Sequence, residues 1–589
     1  MRRTPKPTVP ILWILPALLF CGVLRAQVPS DSVLLRDPAF RERFHLCTDR
    51  SLYGTGEAVR FRAFHAIPGP LKEIGWSRVL YLEMIDEGGW PVARGKFPLD
   101  ETGAEGSLPL PDSLASGLYV LRAYTHWMRN FPAGEFAQVP LEVVQPRDLS
   151  FREEASATGD GFFSDQGSAR SDASPFDDAA RASPFRILSP PTPVERGEKI
   201  RIRLVPAPGL HFPDGVCVSV FRQGTQTQGE SSVSRDASTG LWAKTASQVV
   251  THFPETRGVS LTATVRKKAD GSPVPFAGLG LVLLGDSPQY VSHVADENGR
   301  IRFALPTHRG ASDLLLVFEG EDAGDWILDA DPEYDPRPPL REATAETTFR
   351  HDPRIRESFQ THWEIASAFR DPVVPQSPSG GERRGPPFYG EADHRYVPAD
   401  YVDLPDLEEF LFELVPQVQV RTIEGKRRLL LLDDGGGFLE YLPLVLLDEV
   451  PVSDPEDLLS LSPALFARID VVNREYIRGS HLYGGIVSFR SVRGDRAGLG
   501  LPDRSVFLTY QTYSVAHESP GTKAEPGDRL PDLRHTLSWE PDLDPGVPGG
   551  AVLEFDSNDL PGVYGILVRG TDGSGRLHVG ISEFVIGRD

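Results

Sequence analysis

The sequence predicts a mainly β, multidomain protein, built as a string of β-sandwiches with one small α/β domain. Three observations lead to this fold class. A chain of 589 residues is too long for one hydrophobic core, and domains of about 150 residues would give roughly four of them. The 53 prolines and 56 glycines favour short strands joined by many turns. Alternating polar and apolar residues recur between these turn signals, as is typical of half-buried strands.

The first 26 residues have the pattern of a secretory signal peptide. Arg2, Arg3 and Lys6 precede an apolar run from Val9 to Leu24, and we expect cleavage after Ala26. The run is interrupted by two prolines and is shorter than the roughly 20 residues that a membrane span requires. We therefore expect an exported protein, periplasmic or associated with the outer membrane, with no transmembrane span after signal removal.

The charge and the cysteines argue against several classes of function. The formal net charge is −22, whereas binding to a phosphate backbone requires clustered lysines and arginines, so nucleic acid is not an expected partner. Cys21 lies in the leader, which leaves Cys47 and Cys217 in the mature chain. Two widely spaced thiols do not make a disulfide framework. We interpret them as free buried residues, with pairing in an oxidising compartment as the alternative.

Residues 27–146 predict the first β-sandwich. Turn signals separate alternating strand patterns at Val59–Phe64, Val79–Ile85, Leu118–Tyr124 and Phe136–Val144. The segments HLCTDRSLYGTGEAVRFRAF, RVLYLEMID and LPDSLASGLYVLRAYTHWMRNF resemble the macroglobulin-type, immunoglobulin-like sandwich of Gram-negative envelope proteins. Residues 147–183 are rich in Ser, Asp, Ala and Gly without periodicity, which predicts a flexible linker.

Two further sandwiches are predicted next. The segment RGEKIRIR, from Arg196, repeats the turn-and-strand pattern of GEAVRFR, from Gly56, and suggests a second sandwich at residues 184–255. Residues 256–330 place a Gly-x-Pro-Val turn and an Asp-x-x-Gly turn between strand patterns. This order resembles the carboxypeptidase-regulatory-like sandwich, and that resemblance implies an accessory domain without catalytic residues.

A helix and a linker are predicted at residues 331–400. Asp352 can cap the helix and Pro353 suits its first position. One face of the predicted helix carries Ile355, Phe359, Trp363 and Ala366.

Residues 401–497 predict the small α/β domain. The predicted elements are helices at Leu404–Val415 and Pro455–Ser460 and strands at Val418–Val420, Leu429–Leu432, Leu444–Leu447, Ile469–Val472 and Tyr483–Phe489. An Asp-x-Val-Pro turn at Asp448 and a Tyr-Gly-x-x-Ile segment at Tyr483 resemble the plug of TonB-dependent receptors. Gly484 and Gly485 suit a close approach between backbones.

Residues 503–589 predict a C-terminal sandwich, in which the segment from Leu560 to Val568 echoes Leu114–Arg122. It again resembles the macroglobulin type. A receptor plug is followed by a large barrel, and fewer than 100 residues remain here after Ser491. The chain therefore resembles envelope proteins that combine macroglobulin-type, carboxypeptidase-regulatory-like and plug-like domains without a barrel.

We expect a non-enzymatic interaction protein whose plug-like domain docks on an envelope partner, such as an outer-membrane β-barrel of a transport or secretion system. The candidate interaction surface consists of Asp448, Arg474, Tyr476, His481 and Tyr483. Two alternatives stay open: a structural or adhesive envelope scaffold, and an accessory subunit of an envelope peptidase system.

No enzymatic activity, cofactor or metal is expected. The sequence has no phosphate loop, nucleophile elbow or His-Glu-x-x-His motif. His252 and Glu255 have a spacing that zinc enzymes use, but Pro254 lies between them and a third ligand is missing. Asp433 and Asp434 before a glycine run favour a hairpin turn over a calcium site. The aromatic series Tyr119, Tyr124, Trp127 and Phe131 favours a sandwich core over a sugar-binding platform.

Overall fold

A computed structural model describes most of the chain and confirms the predicted mainly β, multidomain class. The described residues are 40–65, 76–145, 185–190, 192–225, 249–284, 289–305, 309–319, 324–338, 353–369, 387–452, 454–502, 504–515, 531–547 and 550–587. The predicted signal peptide and the predicted linker at 147–183 lie outside these residues.

The strands are numbered in chain order. The first seventeen are β1 Phe44–Thr48, β2 Leu52–Gly54, β3 Ala58–His65, β4 Val79–Asp86, β5 Pro91–Pro98, β6 Ala104–Pro109, β7 Gly117–Tyr124, β8 Ala137–Val144, β9 Phe185–Leu188, β10 Lys199–Pro206, β11 Val216–Arg222, β12 Ser260–Lys267, β13 Gly278–Leu283, β14 Gln289–Val294, β15 Arg300–Ala304, β16 Ala311–Glu319 and β17 Trp326–Ala330. The others are β18 His394–Tyr396, β19 Val418–Ile423, β20 Lys426–Leu431, β21 Leu444–Leu447, β22 Val450–Pro451, β23 Phe466–Val472, β24 Tyr476–Arg478, β25 His481–Tyr483, β26 Ile486–Ser491, β27 Ser505–Gln511, β28 Thr536–Leu543, β29 Ala551–Asp556, β30 Gly562–Thr571 and β31 Leu577–Ile586. The helices are α1 Pro353–Phe369, α2 Leu407–Leu414 and α3 Glu456–Leu459.

The first sandwich packs the sheet β1-β3-β6 against the sheet β2-β8-β7-β4-β5. Val59, Phe61 and Ala63 on β3 face its core, whereas Phe64 on the other face is buried in a separate cluster with Cys47 and Cys217. The aromatic residues proposed as core, from Tyr119 to Phe131, are also buried. The described residues at 40–145 thus form the sandwich that the sequence predicts.

The second sandwich is discontinuous. β10 pairs with β29, and β11 pairs with both β28 and β30. Its core joins Ile202 and Val218 to Ile566 and Phe584. Residues 184–255 and 503–589 were predicted as two separate sandwiches, and this prediction is wrong. Each segment supplies only part of the two sheets, so neither could bury its apolar side chains alone.

The first and second sandwiches have the same strand order. β9-β10-β29 corresponds to β1-β3-β6, and β31-β30-β11-β28 corresponds to β8-β7-β4-β5. Both contain a tyrosine corner, in which Tyr119 Oη donates to the Ala115 carbonyl and Tyr564 Oη to the Leu560 carbonyl, each at 2.9 Å. The two similarities noted in the sequence therefore correspond to equivalent strands, β3 with β10 and β7 with β30. In the first sandwich, β4 and β5 are joined by a short turn at residues 87–90. In the second, the equivalent strands β11 and β28 are separated by an insertion of residues 223–535.

The third sandwich lies inside this insertion and is itself interrupted. Its sheets are β15-β12-β17 and β14-β13-β16-β27, so a strand from 505–511 completes a domain predicted to end at residue 330. Alternate residues of β13 and β16 face its own core, including Leu281 and Leu316. The intervening residues, including Val282 and Leu315, are equally buried but face the next domain. Strands buried on both faces have continuous apolar sequences, as these two do.

The α/β domain is the innermost insertion. A five-stranded sheet, β18-β23-β26-β21-β22, is accompanied by the hairpins β19–β20 and β24–β25. β18 pairs with β23, so the domain begins before residue 394 and not at 401 as predicted. The strand predicted at Tyr483–Phe489 is two strands, because the chain turns away at Gly484 and Gly485 between β25 and β26.

Helix α1 lies between the first two sandwiches. Pro353 occupies its first position as predicted, while Asp352 lies outside the described residues. Ile355 and Phe359 pack on Leu52 and Val144 of the first sandwich. Phe359 also stacks on His535, which precedes β28, with ring centroids 3.9 Å apart. The helix thus joins two domains through the apolar face that the sequence indicates.

Candidate interaction surface

The α/β domain uses one face of its sheet within the chain. Leu446, Val472 and Ile486 on this face pack against Val282 and Leu315 of the third sandwich. The other face packs under α2, α3 and the β19–β20 hairpin, with side chains such as Leu447 and Phe489 in the core. A second protein can therefore reach the domain only from the layer formed by the helices and the hairpin, or from its rim.

Two of the five predicted interaction residues lie at the interface with the third sandwich. Tyr483 is buried, and its hydroxyl lies 3.1 Å from Tyr290 Oη and 3.4 Å from Glu319 Oε1. His481 Nδ1 lies 3.3 Å from Ser292 Oγ, and its Nε2 lies 3.5 Å from Glu319 Oε2. Burial raises the pKa of Tyr483, which keeps the hydroxyl protonated as a donor. Both side chains make contacts inside the chain. Tyr483 is therefore not part of an external surface, whereas the His481 side chain is 33% exposed.

Asp448 is also buried and stabilises the predicted turn. The backbone at Asp448 and Glu449 has positive φ, as a two-residue hairpin turn requires. The Asp448 carboxylate accepts hydrogen bonds from Ser491 N at 2.9 Å, Ser491 Oγ at 2.5 Å and Arg496 N at 2.8 Å. The Asp-x-Val-Pro pattern therefore reports a structural turn, and Asp448 is not available to a partner.

The other two predicted residues lie at the rim of the domain. Arg474 forms an ion pair with Asp393 and is largely exposed. Tyr476 is half-buried, and its hydroxyl lies 3.4 Å from the Phe388 carbonyl oxygen. The structure does not join the five predicted residues into one surface.

A groove lies on the outward layer, between α2 and β19. Its volume is about 580 Å³, and it is lined by Asp406, Glu408, Glu409, Phe412, Pro416, Val418, Gln419, Val420 and Arg421. Phe412 is 80% exposed, although it belongs to a helix whose Leu407, Phe410 and Leu411 are fully buried. Phe412 has the highest exposed fraction among the large apolar side chains of the described residues.

The helix phase explains why Phe412 faces outward. Residues three and four apart share one face, so Leu407, Phe410 and Leu411 define the side that packs on the sheet. Phe412 is one position after Leu411, so its side chain lies outside that face and is exposed. The sequence carries this signal in LEEFLFEL, from Leu407 to Leu414, because Phe412 lies outside the apolar spacing of the buried residues.

The groove combines an unpaired strand edge with negative charge. Within the described residues β19 pairs only with β20, so its second edge has no strand partner. Asp406 caps α2 by accepting from Glu409 N at 2.9 Å, and Glu408 pairs with Arg427. Negative charge at a helix N-terminus is favoured by the helix dipole. This geometry can receive an extended peptide whose backbone pairs with a strand and whose cations face the carboxylates.

A second cluster contains residues that commonly bind metals. Ligand atoms of Glu57, His362 and His535 lie within 4.8 Å of one another. However, Glu57 Oε2 is 2.8 Å from Arg50 Nη2 and accepts from Gly54 N at 2.6 Å. A guanidinium bound to the same carboxylate repels a cation, so we assign this cluster to the contact between α1 and the sandwiches.

The weaker sequence candidates have other roles. Glu255 accepts from Ser260 N at 2.6 Å and Ser260 Oγ at 2.8 Å, whereas the His252 ring packs edge-on against His126. Asp433 accepts from Gly437 N at 2.8 Å and forms the predicted turn. That the protein binds no metal stays a prediction.

Within the described part of the chain, every helix is too short or too polar to cross a membrane.

Comparisons with known proteins give only distant similarity. No protein-family model and no curated protein matches the chain. Among solved structures, alpha-2-macroglobulin from Salmonella is 11% identical over 94% of this chain and 40% of its own, with a TM-score of 0.23. Trypsin-activated alpha-2-macroglobulin from Escherichia coli is 10% identical over 94% of this chain and 42% of its own, with a TM-score of 0.23. This chain thus spans less than half of those chains. The BSP domain of a biofilm-associated protein is 10% identical over 48% of this chain and 28% of its own, with a TM-score of 0.13.

Proposed function

We propose that this protein is an exported, non-enzymatic envelope protein that binds an extended, basic segment of a partner protein in the groove between α2 and β19. The groove lies on the plug-like domain, which the sequence places in a periplasmic or outer-membrane context. A transport or secretion component of the envelope is the expected partner. The observation that carries the proposal is Phe412, 80% exposed beside an unpaired strand edge.

Three properties of the groove select this kind of occupant. The open edge of β19 offers backbone groups to an extended chain, which is the usual mode of strand addition. Phe412 and Val420 offer apolar area for alternate side chains of the added strand. Glu409 attracts lysine or arginine and repels acidic segments, whereas Glu408 is already paired with Arg427. A net charge of −22 on the whole chain acts in the same direction at long range.

The position of the groove supports the same proposal. The opposite face of the sheet is occupied by the third sandwich, so the α/β domain is held with its helical layer outward. A partner that binds this layer needs no rearrangement of the chain, and rigid docking is favoured over a change of fold.

The proposal is tested by in-cell cross-linking. A photoreactive amino acid at Phe412 should give an adduct with another envelope protein, and mass spectrometry should place the adduct in a basic segment of that protein. The matched control is Val552, an exposed apolar residue on β29 of the second sandwich, where we expect no such adduct. A photoreactive residue at His481 should link to the third sandwich of the same chain.

Charge reversal separates specific docking from chance contact. Glu409→Lys should reduce the Phe412 adduct at least tenfold, because it places a cation where the partner's cation binds. Glu297→Lys, on an exposed turn of the third sandwich, should leave the yield unchanged. Equal adducts from Phe412 and Val552, or none from Phe412, would overturn the proposal. Glycans or a protease among the adducts would instead favour the scaffold or the peptidase-accessory alternative.

A further inference from the structure

The two cysteines of the predicted mature chain lie together, although 170 positions separate Cys47 from Cys217 in the sequence. Cys47 belongs to β1 of the first sandwich and Cys217 to β11 of the second. Both are buried in one small cluster with Phe64, and the partly buried Trp539 packs against it. The cluster lies at the contact between the two sandwiches.

Two hydrogen bonds near the cysteines connect the first sandwich to the second. Arg569, the register partner of Cys217, donates from Nη2 to the Thr48 carbonyl at 2.5 Å. Ser219 Oγ donates to the Asp49 carbonyl at 2.5 Å. These bonds involve residues within two positions of each cysteine and the register partner of Cys217, so the thiols stay close to each other while the interface is intact.

The chemistry of the pair favours oxidation. Burial raises the pKa of the Cys217 thiol, but a hydrogen bond from Cys47 and the positive charges of Arg569 and Arg62 outweigh burial and lower this pKa to about 7. The pKa of Cys47 is raised, first by its hydrogen bond to Cys217 and then by burial. These shifts apply in the closed interface, where the hydrogen bond between the thiols places Cys47 within reach of the Cys217 sulfur, so that Cys47 can complete an exchange begun at Cys217.

We propose that Cys47 and Cys217 form a disulfide that links the first sandwich to the discontinuous second sandwich. The oxidant is the disulfide of an envelope thiol–disulfide oxidoreductase. The Cys217 thiolate attacks one sulfur of that disulfide and releases the other as a thiolate. Cys47 then loses its proton, attacks the Cys217 sulfur and expels the oxidoreductase. Two protons and two electrons leave the cysteines, and the electrons remain on the oxidoreductase as a dithiol.

The interface also sets when the bond forms. In the folded chain both sulfurs are sealed from solvent, so an oxidoreductase must act before the two sandwiches close on each other. Once closed, the same burial protects the disulfide from reductants. The proposal uses the predicted export only as the source of the oxidant, and a glutathione redox buffer can replace that source with purified protein.

The test is peptide mapping of the full chain purified from an oxidising compartment. The protein is denatured and alkylated without reductant, then digested with trypsin. We expect the peptides Phe44–Arg50 and Leu204–Arg222 joined, with the mass of their sum less two hydrogens, and both alkylated only after reduction. Cys47→Ser should leave Cys217 free to be alkylated. If Cys21 is retained, it falls in a separate peptide and does not affect the result.

A stability measurement gives an independent readout. Reductant should lower the thermal midpoint of the wild-type protein by several degrees and leave that of the Cys47→Ala/Cys217→Ala double variant unchanged. Both peptides recovered alkylated without reduction, even after incubation with oxidised glutathione during refolding, would overturn the proposal. If the link forms only in the glutathione buffer, the pairing stands and the proposed export is what fails.

Discussion

At the scale of single residues, the first sandwich buries the carboxyl group of Glu42 between two hydroxyl groups. Glu42 is buried, and it accepts hydrogen bonds from Ser77 Oγ at 3.0 Å and from Thr125 Oγ1. Burial raises the pKa of Glu42 to about 7, against the lowering effect of these two hydroxyl groups. Such a group binds a proton more tightly in the folded than in the unfolded protein. Its ionisation therefore opposes folding.

The sign of the pH dependence follows from these two pKa values. Below about pH 4.5 the group is protonated in both states and has no effect on stability. Between that pH and about 7 the folded state retains more protons, so stability falls as the pH rises. Above about pH 7 the loss is complete and amounts to about 3 kcal/mol. We expect Glu42→Gln to stabilise the first sandwich at pH 8 and to have little effect at pH 4.5.

This prediction is checked by calorimetry at both pH values, with Glu87→Gln as the control. Glu87 is exposed on the turn between β4 and β5, so its substitution should leave the thermal midpoint unchanged at either pH. A Glu42→Gln variant that is less stable than wild type at pH 8 would mean that ionised Glu42 is satisfied by its hydroxyl partners.

At the scale of elements, the return of the chain between β25 and β26 depends on two glycines. A Cβ atom on Gly484 would lie 1.8 Å from the Tyr441 carbonyl oxygen, and one on Gly485 would lie 2.3 Å from the Val472 carbonyl oxygen. Gly485 also has φ +89°, which disfavours any other residue. The sequence predicted this close approach, and the structure confirms it. This turn separates β25, which contacts the third sandwich, from β26 in the central sheet of the α/β domain.

Gly484→Ala should therefore destabilise the α/β domain by about 3 kcal/mol or more, because backbone atoms must move to admit the methyl group. Hydrogen exchange should show faster exchange in β21, β23 and β26 and little change in the first sandwich. Gly500→Ala is the matched control, since an added Cβ there meets no atom within 4 Å. Equal exchange rates in the two variants would show that the backbone at Tyr441 can move aside without loss of stability.

Local sequence patterns predicted the position of individual strands and turns but not which strands pair with each other. The predicted strand at Leu444–Leu447 matches β21, and the turn at Asp448 has the predicted position, because both follow from residues adjacent in the chain. Period-two alternation shows that a segment is a strand but does not identify its neighbour. The positions of Tyr483 and His481 at the interface could not be predicted for the same reason, since the covering of one sheet face by the third sandwich depends on distant residues. Phe412 could have been found from the phase of α2 alone.

At the scale of the whole molecule, the chain contains domains inserted within domains. The second sandwich encloses the third, and the third encloses the α/β domain. Contacts outside the sheets reinforce this arrangement. Lys96 Nζ of the first sandwich lies 2.7 Å from Glu333 Oε1 and donates to the Gln511 carbonyl at 2.8 Å. The sequence could not reveal the nesting, because a long insertion costs little loop-closure entropy and leaves no local trace.

The nesting predicts the effect of shortening the chain. A protein ending at residue 530 lacks β28 to β31, so β11 loses both of its partner strands and β10 keeps only β9. We expect amides in 199–222 to exchange as fast as in an unfolded chain, while those of the first sandwich on β7 remain protected. A chain ending at residue 587 is the control and should keep all protection. Unchanged protection of 199–222 in the shorter chain would show that residues 184–255 fold alone.

The split second sandwich also imposes an order in time. During synthesis, β9, β10 and β11 emerge long before β28 to β31. Until then Ile202 and Val218 have no core to enter, and the strand edges of β10 and β11 are open to other chains. The third sandwich and the α/β domain emerge during this interval. The slowest and most aggregation-prone step of maturation should therefore be the last one, when the end of the chain returns to close a domain begun near residue 185.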